Sequence, residues 1–312
     1  MPFPDLPPER IPGSPGHLND HQLIDQALDY VKQSAYRDDP NFPPLPDIPV
    51  LGQSGHVTAH DRILAVLQYV KANPPGPAWA TISNTPTGTY QGDDGHTYAY
   101  YEFTTSGTLT VITAGLVDLL VVGGGGAGNT DQGKGGGGAG GVLQVSQGLL
   151  PAGSLPVTVG AGGPAFKVPA NYYSRRGDDG EASVVGNYVA AGGGGAGCIN
   201  YRRDGIDSVK VPGGNGGSGG GYSGKGIPGQ GHNGANQRTG GGGGAGGPGS
   251  GENGGPGITS SITGEARTFG VGGPQGNGTA NTGNGGKSGG SFENNRSGAG
   301  GSGIVIVRTR LN

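Results

Sequence analysis

The chain has 312 residues, of which 75 are glycine and 24 proline; 31% are hydrophobic, 13% are charged, and the formal net charge is −3. Composition this rich in Gly and Pro points toward a low-complexity or fibrous protein, yet so few charges argue against a chain held open by self-repulsion. The lack of a basic surplus removes the simple case for nucleic acid or an anionic membrane surface as a partner, and no stretch reaches the roughly 18 apolar residues of a spanning helix.

Glycine is unevenly spread: ten lie in residues 1–122 and 65 in residues 123–312. The start, MPFPDLPPERIPGSPG, has no basic segment followed by an apolar run, so no secretion signal is read there. A duplication follows. Residues 13–32, with Gly13, His17, His21, Ile24, Leu28, Tyr30, Val31 and Lys32, align with residues 52–71, with Gly52, His56, His60, Ile63, Leu67, Tyr69, Val70 and Lys71. Two copies of a loop–helix unit are the economical reading, with Asn19 and Thr58 in capping positions and apolar residues at helical spacing. Helices this short are marginal alone, so this module, residues 1–75, is expected to attach or oligomerise. The pairs His17/His21 and His56/His60 have the four-residue spacing of metal ligands on a helix, but the metalloprotease form requires Glu after the first His, where Leu18 and Val57 stand. Packing or capping at the helix start is the favoured role, with a shared metal as the alternative.

Pro-rich connectors surround these units, and residues 76–83 read as a linker. Strands then follow at 97–103, 107–112, 116–122, 141–145, 156–159, 182–185 and 188–191, each rich in β-branched or aromatic residues and bounded by turn formers. The last run, residues 303–308, lacks polar alternation and is expected to be a buried central strand. Cys198 cannot close an intrachain disulfide and reads as a small buried residue.

So many glycines cannot be held by side-chain packing. Polyproline II helices have three residues per turn, and where small residues face inward they can lie side by side and satisfy each other's backbone groups. The stretch 213–219 keeps that register briefly, and 240–257 is compatible with it. The expected fold is mainly β: a small β-sandwich with packed polyglycine II segments across residues 84–312, preceded by the short helical module.

Two glycine stretches, 123–128 and 192–197, satisfy the G-x-G-x-x-G spacing of dinucleotide sites, but neither is followed by a sequence that can start the helix on which the pyrophosphate rests. No nucleophile–base or paired-carboxylate constellation stands out. The chain is therefore read as non-enzymatic and without a cofactor. The non-glycine islands Tyr172, Tyr173, Arg175, Arg176 and Tyr201, Arg202, Arg203 carry residue types enriched at recognition hot spots, and they are the candidate receptor contacts. The competing reading is that their rings cover glycine backbone and their guanidinium groups serve solubility.

Five stretches, taken in order, resemble the glycine-rich minor tail proteins of long-tailed phages, especially those infecting actinobacteria: the Thr-Tyr to Thr-Val lead-in at 97–111, residues 117–126, residues 150–163, residues 255–264 and the closing 301–308. The Gly-His-x-x-x-His units are similar to the N-terminal segments of such proteins. The resemblance implies a virion component at the tail tip, trimeric, in contact with other tail proteins, that shows its glycine-rich part to a host-surface glycan. It contributes no catalytic residues. A purely structural tail or decoration protein is the alternative from a second class, and a bacterial glycine-rich surface protein is a third.

Overall fold

The computed structural model describes Lys32, Val66, Gln68, Tyr69 and residues 78–311, with the exception of 131–134, 168–174, 202–207, 274–276 and 289–295. The chain divides into two units, Met1–Ala78 and Trp79–Asn312. In the first, Lys32, Val66, Gln68 and Tyr69 are helical and Ala78 is not. The two repeat units, with His17, His21, His56 and His60, otherwise lie outside the described residues, and the expected helical module stays an expectation.

The second unit is mainly β. Its strands are β1 (Thr81–Ile82), β2 (Gly88–Gln91), β3 (Thr97–Phe103), β4 (Gly107–Thr113), β5 (Gly115–Val122), β6 (Val142–Leu150), β7 (Gly153–Thr158), β8 (Ser183–Val185), β9 (Tyr188–Ala190), β10 (Cys198–Tyr201), β11 (Ser208–Val211), β12 (Ile258–Ser260), β13 (Arg267–Phe269) and β14 (Ile304–Arg310). They form two antiparallel five-stranded sheets, ordered β2-β3-β14-β5-β6 and β1-β4-β7-β8-β9, and two hairpins, β10-β11 and β12-β13. The stretch read as a linker is partly sheet: the Ala80 amide donates to Leu116, and β1 pairs with β4.

Alternation sorts the strands onto faces. Ala99, Tyr101, Val117, Leu119, Val121, Val305 and Val307 of the first sheet share a core with Leu109, Val111, Val157, Val185 and Ala190 of the second. The opposite face of the first sheet, with Leu120, Val122, Ile304 and Ile306, is covered by Ile258, Ile262 and Phe269 of the β12-β13 hairpin region. The middle strand β14 is therefore apolar on both faces, as its unbroken Ile-Val-Ile-Val run requires.

Beyond the sheets, glycine segments make a bundle joined by backbone hydrogen bonds. Residues 136–141 lie at its centre. The amides of Gly137 and Gly140 donate to Gly286 and Gly283, those of Gly138 and Gly141 to Gly194 and Ala191, and those of Gly136 and Ala139 to Gly240 and Gly243, all at 2.7–3.1 Å. The carbonyls of Gly138 and Gly141 accept from Gly126 and Gly123, those of Gly136 and Ala139 from Gly221 and Ser218, and that of Gly137 from Gly273. Neighbours recur every third residue, so the segment turns once per three residues and is bonded on six sides. Every amide from Gly136 to Gly141 is satisfied, which a buried backbone demands.

This spacing excludes side chains. A Cβ on Gly137 would lie 2.1 Å from the Gly126 carbonyl oxygen, and one on Gly140 1.9 Å from that of Gly123. The segments 123–128, 135–140 and 192–197 each carry a single methyl group, on Ala127, Ala139 and Ala196, and all three are fully buried.

Candidate functional site

The bundle has a near end and a far end. At the near end β5 runs into Gly123, Gly141 into β6, and Gly303 into β14. At the far end Gly128 donates to Gly298, Gly177 to Ala196 and Gly197 to Gly221, and here the chain leaves the bundle into the segments 129–134, 164–176, 198–212 and 288–297. The two ends of the unit's chain lie on the other side: Trp79 bridges Leu116 at the start of β5, and Leu311 donates to Thr97 at the start of β3. At about 3.1 Å per residue for a three-residue turn, the six residues 123–128 separate the sheets from the far end by roughly 15–20 Å.

Several contacts order the far end. Asn129 is fully buried and its Nδ2 donates to the Gly197 carbonyl at 2.5 Å, tying the first segment to the third. Arg175 donates its amide to the Thr130 hydroxyl at 3.0 Å, while the Thr130 amide donates to the Arg175 carbonyl. The Ser297 amide donates to the Phe166 carbonyl at 2.9 Å and the Phe166 amide to the Ser297 hydroxyl at 3.0 Å. Four segments distant in sequence are thus joined pairwise by side-chain and backbone hydrogen bonds.

Of the predicted contact residues, Arg175 and Arg176 are described here, and both have partners within the chain. Arg175 reaches Asp178 at 2.8 Å and lies over the Phe166 ring at 4.2 Å from its centre. Arg176 reaches Asp179 at 2.6 Å, and the same carboxylate oxygen accepts the Gly195 amide. Exposed pairs of this kind contribute about 0–1 kcal/mol, so they orient the guanidinium groups more than they stabilise the fold. Tyr201 is the last residue of β10 and pairs with Ser208. Tyr172, Tyr173, Arg202 and Arg203 lie outside the described residues. Asp178 and Asp179 each stand three positions after an arginine and close on it.

A second polar cluster was not foreseen. On the outer face of the first sheet Arg308 meets Asp118 and the Tyr90 hydroxyl, and its guanidinium lies 4.5 Å from the Tyr98 ring centre. Tyr98 stacks on Tyr90 with ring centres 5.6 Å apart and meets Trp79 edge-on at 6.2 Å. The Tyr98 hydroxyl donates to Asp94 at 2.6 Å. That bond holds Asp94 below its ordinary value of 3.8 and, with burial, Tyr98 above 10.0. These residues come from β2, β3, β5 and β14, with Trp79 ahead of β1 and Asp94 between β2 and β3, and their spacing in sequence gave no sign of the meeting.

Among the described residues no three His, Cys, Asp or Glu side chains converge as metal ligands. Cys198 is buried and forms no disulfide. A comparison with curated proteins found no match to the chain. A family model described as a glycine-rich domain matches residues 104–310, well over half of the chain, from β4 to β14, and so takes in the glycine bundle and the far-end segments but not β1, β2 and β3; the chain belongs to this glycine-rich domain family.

Proposed function

We propose that this protein is a minor tail protein at the tip of a phage tail, whose glycine-rich unit displays its far-end segments to a host-surface glycan, with no catalytic role. The three-residue hydrogen-bond period supports reading the bundle as packed polyglycine II helices against a small β-sandwich. The observation that carries the functional reading is the polarity of the unit. Its chain ends lie at the sheets, and four inserted segments leave from the opposite end of the bundle. A scaffold that holds variable segments away from its attachment end is the usual organisation of a recognition module. Tyr172, Tyr173, Tyr201, Arg202 and Arg203 supply aromatic faces and fork donors suited to sugar rings. Residues 1–75 then serve attachment to other tail proteins, in a trimer.

The test is saturable binding of the fluorescently labelled full-length protein to a panel of actinobacterial cells, with its solution mass measured alongside. Binding to a narrow set of hosts, lost when Tyr172, Tyr173, Arg202 and Arg203 are changed together to Ala while folding and mass are unchanged, is the expected result. A folded protein that binds no cell in the panel, or binding indifferent to these changes, overturns it.

A specific observation favours a second reading, a structural tail component without a receptor. Arg175 and Arg176 are paired within the chain, Arg175 over the Phe166 ring and Arg176 with the Asp179 carboxylate that also accepts the Gly195 amide, as side chains that cover the end of a glycine bundle would be. Loss of particle assembly in the quadruple variant would favour it.

A further inference from the structure

Asparagine followed by glycine is the dipeptide most prone to lose ammonia spontaneously, because the glycine nitrogen meets no side chain as it closes on the asparagine carboxamide. The chain holds five such pairs: Asn215-Gly216, Asn233-Gly234, Asn253-Gly254, Asn277-Gly278 and Asn284-Gly285. Four are clamped in one recurring way. The Asn215 side-chain oxygen accepts the Lys225 amide at 2.8 Å, and the Gly216 amide donates back to the Lys225 carbonyl at 3.1 Å. Asn277 and Gly278 hold Ala299 in the same manner, at 3.1 and 2.8 Å. Asn284 and Gly285 hold Val271, both at 2.9 Å. Asn233 accepts from Gly226 and Gly234 donates to Gly224, both at 3.0 Å.

Each clamp blocks both halves of the reaction. The glycine amide must lose its proton to become a nucleophile, and one that is donating inside a packed backbone exchanges that proton only when the structure opens. The carboxamide must also swing toward the following nitrogen, and its oxygen is held elsewhere. Asn253-Gly254 has neither restraint. Asn253 is exposed at the end of the turn 250–253, where its backbone pairs with Ser250 and Gly251 takes a φ of 56°. Among the described residues its side chain has no hydrogen-bond partner and the Gly254 amide has no acceptor.

We infer that Asn253 is the deamidation site of the folded protein. The deprotonated Gly254 nitrogen attacks Asn253 Cγ, the new N–Cγ bond forms, the Cγ–Nδ2 bond breaks and ammonia leaves with a proton from water. Water then opens the five-membered succinimide at either carbonyl to give aspartate or isoaspartate. Nothing is oxidised or reduced. The product places a new negative charge beside Glu252, and in the isoaspartate form a backbone methylene where the chain re-enters the bundle at Gly255, whose amide donates to Gly242.

The experiment incubates the folded full-length protein at mildly alkaline pH and follows each site by tryptic peptide mass. Cleavage after Arg238 and Arg267 isolates Asn253 from the other four pairs. The expected result is a one-dalton gain confined to that peptide, more than about tenfold faster than at any other site, with all five converting once the chain is denatured. Asn253→Gln, which disfavours the five-membered ring, removes the gain. Conversion at a clamped pair ahead of Asn253, similar rates at all five in the folded protein, or an Asn253 that converts only after denaturation overturns the inference.

Discussion

Arg308 and Asp118 face each other across β14 and β5, the guanidinium meeting one carboxylate oxygen through Nε at 2.9 Å and Nη2 at 2.5 Å. The other carboxylate oxygen accepts the Gln147 amide at 2.9 Å. Asp118 is almost fully buried and Arg308 is 23% exposed. Removing one partner of a buried pair leaves the other charge uncompensated, a loss of about 3–5 kcal/mol when burial is complete. With Arg308 partly in water, Arg308→Met is expected to cost roughly 2–3 kcal/mol in denaturant unfolding. The double change Arg308→Met with Asp118→Ala should cost less than the sum of the singles; strict additivity would show that the pair is not coupled.

Glycines in the bundle and glycines in the sheets should respond differently to the same methyl group. In Gly137→Ala the added carbon meets backbone, which cannot rotate away, and a loss of about 3 kcal/mol or more is expected, at or above the upper range of core overpacking. At Gly107 the nearest atoms are ring carbons of Phe103 at 3.5 Å, an ordinary contact, and Gly107→Ala should fall within about 1 kcal/mol of the parent, on the stabilising side. Thermal unfolding of the two variants side by side is the check. Equal melting temperatures would contradict the backbone packing.

The Asp94–Tyr98 hydrogen bond makes stability depend on pH at both extremes. Asp94 is held below 3.8 in the fold, so its contribution is present above that value and fades as pH falls through the lower folded pKa. Tyr98 is held above 10.0, so its contribution is present below that value and fades as pH rises through the higher folded pKa. The difference in unfolding midpoint between the parent and Tyr98→Phe should therefore be largest near neutrality and shrink toward both ends. A difference constant from strong acid to strong base would contradict it.

Amide exchange should report the bundle directly. The amides of Gly137, Gly138, Ala139 and Gly140 have acceptors on separate segments, so freeing any one requires those segments to part. Their exchange is expected to track global unfolding, far slower than at Gly95 in the exposed turn before β3. Exchange at Gly138 as fast as at Gly95 would refute the packing.

The strands legible in the sequence were those whose pattern is local. Residues 97–103 and 116–122 alternate or run apolar over a full strand length, and β3 and β5 form there. The Ile-Val-Ile-Val run announced β14. Strands β2, β12 and β13 escaped, because four residues such as Gly-Thr-Tyr-Gln or three such as Arg-Thr-Phe carry too little pattern and become strands only through their partners. For the glycine segments packing was expected, but which segment meets which was not legible. Gly-Gly-Gly-Gly-Ala-Gly occurs at 123–128, 135–140, 192–197 and 241–246, yet its meaning lies in how distant copies meet, and every copy reads alike until the neighbours are known. At the far end, Arg175 and Arg176 were visible as recognition types. Their closure on Asp178 and Asp179 depends on a turn geometry that composition does not encode.

Bonding on six sides also sets how the unit carries load. A β-sheet is strong along its ladder but can peel from an edge one strand at a time, since each strand has at most two bonded neighbours. A segment such as 136–141 has bonds radiating in all directions across its axis, so a pull on one far-end segment is shared among several others before any single bond fails. Hydrogen bonds oriented around an axis make the bundle close to isotropic in cross-section, and tension entering at the far end reaches β5, β6 and β14 together through Gly123, Gly141 and Gly303.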